Sequence, residues 1–176
     1  MENLNCYDFG RKLLDTGDLD PVYILLWEAQ LEPILLRKWL ISYWCFYHVG
    51  TASWCTSAPD YWDAMATAAG SKEYPRSAER RHFRGEAAKR GVEYLKSRGT
   101  AALFDDLLQA GENAQDKTNV VLKWKQFGPW ISFKVADMLE RLAICPVVFD
   151  VETAFYKGSP YDGSILLWET EGKPEL

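Results

Sequence analysis

Apolar residues in this chain recur at three- and four-residue spacing, and nowhere do they alternate over a run long enough to build a sheet. That pattern confines the 176 residues to an all-α fold. The length suits one domain, 1–176, large enough to bury a core. Asp20-Pro21 reads as a helix start, with the carboxylate capping and Pro in the first position. Leu31 to Val49 predicts one long helix, apolar on most sides and therefore buried, with Trp39, Leu40, Tyr43, Trp44 and Tyr47 at helical spacing. Ser57-Ala58-Pro59 predicts the start of a helix that Gly70 ends. Ala88, Val92 and Leu95 predict a helix within Ala78 to Ser97, weakened by Gly85 and Gly91 and stopped at Arg98-Gly99. Leu103, Leu107 and Leu108 form a short stripe before Gly111, and Ile131, Val135, Leu139 and Leu142 a further one. From about residue 158 the run GSPYDGS predicts an irregular tail.

The net charge of -5 conceals a pattern. Residues 72–98 hold nine bases against four acids. Residues 1–32 hold seven acids against two bases, and residues 137–176 eight acids against three. A basic centre between acidic arms suits one anion-facing surface, although a solvated helix face would look the same. Four Cys without CxxC spacing and two His predict no metal site. The start MENLNCYDFGRKLLD lacks the basic-then-apolar plan of a secretory leader, and every apolar run falls short of a membrane span. The expectation is a soluble, cytoplasmic chain with reduced thiols and no membrane partner.

Most of the chemistry is carried by residues 122–142. A short helix is expected to run into Phe127-Gly128-Pro129, and a second helix to start there. Gly128 tolerates the positive φ of a tight turn, and Pro129 fits a first helical position. The unbonded N–H groups of that helix start can face an anion, with Lys123, Lys125 and Lys134 nearby. An ordinary corner between two helices would show the same Gly-Pro. Downstream, Ile144-Cys-Pro-Val-Val-Phe-Asp150 places a carboxylate after an apolar run. Such a group can cap a helix, or it can act as a base or electrostatic stabiliser.

This order of hairpin, helix, apolar run and Asp resembles the helix-hairpin-helix DNA glycosylase superfamily. Phe149-Asp150-Val151-Glu152-Thr153 looks like its catalytic-Asp motif. Leu40-Ile41-Ser42-Tyr43-Trp44 looks like its duplex-entering helix start, and Arg81-His-Phe-Arg-Gly-Glu-Ala-Ala-Lys like its basic segment. The likeness covers roughly residues 35–156. Trp130 stands where lyase members carry a nucleophilic Lys, and Gln126 replaces the first hairpin Gly. The motif's His and the cysteine quartet of an iron–sulfur cluster are missing. Within the superfamily, Phe46–Trp54, Arg80–Gly85 and Phe127–Trp130 are similar to the phage-associated α-glutamyl/putrescinyl thymine pyrophosphorylases, or amino acid:DNA transferases.

The resemblance implies a glycosylase-like helical bundle with the helix-hairpin-helix at 122–142. It further implies transfer of an amine, such as glycine or a polyamine, onto pyrophosphorylated 5-hydroxymethyluracil in double-stranded DNA, in the host cytoplasm. An extruded base needs aromatic walls, for which Trp44, Tyr47, Trp54 and Trp130 are candidates, with His48 beside them. Departing pyrophosphate needs cations, here Arg76, Arg80, Arg81, His82 and Arg84; on one helix Arg80 and Arg84 would share a face. The attacking amine needs a base, Asp150 first and Glu152 second. Lys125, Gln126, Gly128 and Lys134 are the expected DNA contacts. A monovalent cation at the hairpin and Mg²⁺ carried by the pyrophosphate both stay open. So do two other functions: a monofunctional glycosylase, which the same carboxylate would serve, and a non-catalytic DNA-binding module.

Overall fold

The computed structural model describes residues 20–150. The expected tail and Glu152 lie outside the described residues. Within them run α1 (Pro21–Ala29), α2 (Pro33–Phe46), α3 (Val49–Ser57), α4 (Tyr61–Gly70), a 3-10 turn (Ala78–Arg80), α5 (Gly85–Arg98), α6 (Thr100–Gln109), α7 (Ala114–Val121) and α8 (Pro129–Arg141). The all-α expectation holds for these residues. Their extended pairing is an isolated bridge between Asn113 and Val148.

Local chemistry explains most boundaries. Asp20 accepts from the Val22 N–H at 3.0 Å, as its place before Pro21 predicts. The expected helix from Leu31 to Val49 is two helices. Tyr47 takes a left-handed backbone, φ 49°, and closes α2, while the His48 Nδ1 accepts from the Thr51 N–H at 3.2 Å and starts α3. The sequence pattern misses α3 because Gly50, Thr51, Ala52 and Ser53 carry no strong apolar stripe, and His is an uncommon cap. The next helix is capped by Asp60, three residues after the expected Ser57 start. Gly99, at φ 77°, ends α5 and begins α6.

The core gathers around Trp44 on α2, which is fully buried. Its ring stacks on Phe104 of α6 with centroids 5.7 Å apart and leans on Trp124 at 6.2 Å. Its indole N–H points at the Met138 sulfur of α8, 3.2 Å away. One side chain thus joins α2, α6, α8 and the 122–128 connection. Lys117 of α7 is equally buried, and its ammonium donates to the Leu107 and Ala110 carbonyls at 2.7 and 2.9 Å. A cation at the end of α6 complements the negative pole of that helix. Burial pushes the Cys45 and Cys55 thiols up to about 12, so neither is a thiolate at neutral pH.

Helix α5 and the connection between α7 and α8 meet at Gly91. A Cβ there would lie 3.2 Å from the Lys125 carbonyl oxygen and 3.3 Å from the Phe83 ring. The mid-helix glycine therefore lets the 122–128 connection sit directly on α5. Gly91→Val is expected to push that connection off and lower the melting temperature by several degrees, as overpacking of about 1–3 kcal/mol implies. Thermal denaturation of the variant beside the wild type reads the shift.

Candidate nucleic-acid interface and active site

Residues 122–128 link α7 to α8, and the two helices pack on each other. Helix α7 ends at Val121, earlier than expected, and turns occupy 122–126. The left-handed residue is Gln126, φ 70°, and not Gly128, whose φ is -108°. The expectation for Gly128 is corrected: the conformation that favours glycine lies two residues earlier, where the resembled hairpin carries its first Gly. Pro129 opens α8 as expected. No side chain caps this helix, so the Trp130 and Ile131 N–H groups begin it without a side-chain acceptor. Lys123, Lys125 and Gln126 are exposed around the connection.

The 78–84 segment packs against it, but not as a continuous helix. Arg80 ends the 3-10 turn and Arg84 is an extended cap residue, so they do not share a helix face. Arg80 is 7% exposed, with its guanidinium packed against the edge-to-face Phe83 and Phe127 rings, 4.8 and 4.9 Å from their centroids. Burial lowers its pKa to about 10. Arg76 turns inward too, donating to the Ala68 and Ser71 carbonyls at 2.9 Å and to that of Phe83. These two arginines are internal cross-links, which corrects their reading as pyrophosphate ligands. Arg81, His82 and Arg84 remain exposed beside the connection.

A second centre forms along one stripe of α8. Phe133 and Lys134 lie three and four residues after Trp130, and Asp137 lies four and three after them; Trp130, Phe133 and Asp137 each meet a residue outside α8. Tyr47 sets its ring edge-on to Trp130, with centroids 4.9 Å apart. Tyr43 stands 4.6 Å behind Tyr47, and Trp39 stacks on Tyr43 at 5.0 Å. The Tyr23 hydroxyl donates to Asp137 at 2.6 Å, and Lys134 lies 3.3 Å from the same carboxylate oxygen. Burial first, then the hydrogen bond and charge of Asp137, hold the Tyr23 hydroxyl well above its usual range. Burial pushes Tyr47 up to about 12, so both phenols are neutral donors at pH 7.

The segment before Asp150 touches this stripe through Phe149. Phe149 packs edge-on against Phe133, centroids 5.5 Å apart, about one helical turn beyond Trp130. The Asp150 carboxylate is exposed and accepts from the Asn113 side-chain amide at 3.0 Å. Asn113 is itself fixed: its side-chain oxygen caps α7 through the Gln115 N–H at 2.7 Å, and Val148 pairs with it. The carboxylate is therefore held at the surface by an anchored segment.

The stripe gathers Tyr47, Trp130 and Lys134, while the Asp150 carboxylate is held on Asn113. It does not gather Trp44, whose burial leaves no face for a base; that expectation is corrected. Trp54 packs on Tyr74 instead, at 4.2 Å, and His48 is spent on capping α3. Sequence reading missed Tyr23, Asp137 and Asn113. Asp137 stands seven residues after Trp130 on the same helix face, a spacing that could have identified it; Tyr23 has no such signal.

No protein-family model matches the chain. It is similar to a protein named glycinyltransferase from Pseudomonas phage PaMx11, 36% identical over 185 residues. That likeness takes in 96% of this chain and 62% of the phage protein. A protein named putrescinyltransferase from Delftia phage PhiW-14 is 26% identical over 172 residues, covering 91% of this chain and 53% of its own length. The chain thus spans between half and two thirds of the curated relatives it matches, and their likeness to it extends along nearly all of its sequence.

Proposed function

We propose that this chain carries a phage DNA amine-transfer activity: glycine or a polyamine attacks the 5-methylene carbon of a pyrophosphorylated 5-hydroxymethyluracil in duplex DNA. The methylene C–O bond breaks, a C–N bond forms, pyrophosphate leaves with the bonding pair, and the amine gives up a proton. One observation carries this reading: similarity over 96% of the chain to a phage protein named glycinyltransferase. The likeness to a putrescinyltransferase supports an amine, rather than glycine alone, as the donor class.

The residues divide the work as follows. The 122–128 connection acts as the hairpin of a glycosylase-like bundle. Its Trp130 and Ile131 N–H groups, with Lys125 and Gly128, take a DNA phosphate. The Tyr47–Trp130 pair receives the extruded base, edge and face, while Lys134 offers a charge on the same stripe. Arg81, His82 and Arg84 neutralise the departing pyrophosphate. Asp150 takes the proton of the attacking amine and stabilises positive charge developing at the methylene carbon, with Glu152 as a second carboxylate. Mg²⁺ would come with the pyrophosphate. A monovalent cation at the hairpin would need backbone carbonyls; those of Gln126 and Gly128 are already engaged by Arg80 and Ser132, which leaves others such as that of Phe127.

Pyrophosphorylated phage-type DNA is incubated with each amine, digested to nucleosides and read by mass spectrometry. An aminated thymidine is the expected product. Abasic sites and released base would point to a glycosylase instead, and unchanged DNA with every amine would refute the transferase reading.

A further inference from the structure

A single buried side chain joins the hairpin to the end of α2. We propose that Arg80 is the positioning residue of the hairpin: its guanidinium holds the left-handed turn at Gln126 in the shape that meets DNA. This role presupposes the DNA-binding reading of the hairpin given above.

Three observations carry it. The Arg80 Nη1 donates to the Gln126 carbonyl at 3.1 Å, and Nε donates to the Cys45 carbonyl at 3.0 Å. The guanidinium packs into the corner of an edge-to-face ring pair, Phe83 and Phe127, the latter adjoining Gln126. Gln126 carries a positive φ that a side chain with a Cβ adopts at a cost, so something outside the hairpin must hold it there. Arg80 does so from 46 residues away in sequence.

The other end of the same fork lies two residues before Tyr47, and Gln126 lies four residues before Trp130. Arg80 therefore sets the distance between the phosphate-holding turn and the aromatic pair. Lysine could not replace it, because a point charge on a flexible stem cannot make two bonds in one plane. Its Nη2 is buried without a partner, and the enclosing rings give it no path to a substrate phosphate.

Arg80→Met and Arg80→Lys, each alone and combined with Gln126→Gly, are titrated by fluorescence polarisation at several salt concentrations. One duplex is unmodified and the other pyrophosphorylated. Arg80→Met is expected to raise Kd about tenfold on both duplexes alike, the size of one charge-assisted hydrogen bond. The slope of log Kd against log salt should fall by about one phosphate contact. KM for DNA should rise while kcat at saturating DNA stays within about twofold. Arg80→Lys, which keeps charge and stem, should follow Arg80→Met and carries the test if the latter does not fold. Measured against Gln126→Gly alone, which by itself removes a side chain expected to touch DNA, the double variants should lose little further binding, because glycine holds a left-handed turn unaided.

Unchanged Kd in either folded variant overturns the proposal. So does a loss confined to the pyrophosphorylated duplex, which would make Arg80 a substrate contact, or a further loss of the same size when Arg80 is substituted in Gln126→Gly. Wild-type protein that binds neither duplex overturns the DNA-binding reading itself, a result distinct from normal binding by the variants.

Discussion

Asp150→Asn is expected to slow amine transfer by about 100-fold or more while duplex binding stays within about twofold. General-base groups contribute roughly 10²–10⁴ in rate, which bounds the expected loss. The substitution is nearly isosteric, and its amide oxygen can still accept from Asn113 as the carboxylate does at 3.0 Å. Phe149 stays packed on Phe133, so the segment remains in place. What disappears is the negative charge and the capacity to take a proton from the amine. Quantifying aminated nucleoside alongside Kd separates the two effects. Full turnover in Asp150→Asn would remove it as the base and shift the role to Glu152, which Glu152→Gln tests directly.

Trp44→Ala is expected to destabilise the fold by about 3–5 kcal/mol, the range for deleting a buried large aromatic. For a chain of this size that is a fall in melting temperature of roughly 10 °C or more. The cavity would open between α2, α6 and α8, with Phe104, Trp124 and Met138 losing their shared partner. A base-stacking Trp would behave differently: its removal would leave the melting point nearly unchanged and weaken substrate binding. Trp130→Ala provides that contrast, since Trp130 is half-buried against Tyr47. Thermal denaturation of the two variants side by side distinguishes core from site. Equal melting temperatures for Trp44→Ala and wild type would contradict the core assignment.

The same comparison shows how far each feature could be read before folding. Asp20 before Pro21, and Pro129 opening a helix with an Ile131–Val135–Leu139 stripe, were legible because caps and 3.6-residue periodicity are local. The turn before α8 is legible too, but residue type points to Gly128 for its left-handed position, which Gln126 takes instead. Residue type states a preference for positive φ, and a distant guanidinium can override it. The arginine cluster shows the same limit. Arg80, Arg81 and Arg84 are alike in sequence, yet one is buried against a pair of rings and two are exposed.

Sequence alone makes legible the helical class of the described residues, most of their helices and the order of the 122–128 connection, α8 and Asp150. Each of these follows from spacing and short-range backbone chemistry. Tertiary structure alone decided which aromatic residues face outward and which basic ones turn in. It also brought Tyr23, Tyr47 and Phe149 to separate points on one stripe of α8. Burial and ring pairing depend on surfaces contributed by residues far apart in the chain, and no local pattern encodes which of them will meet.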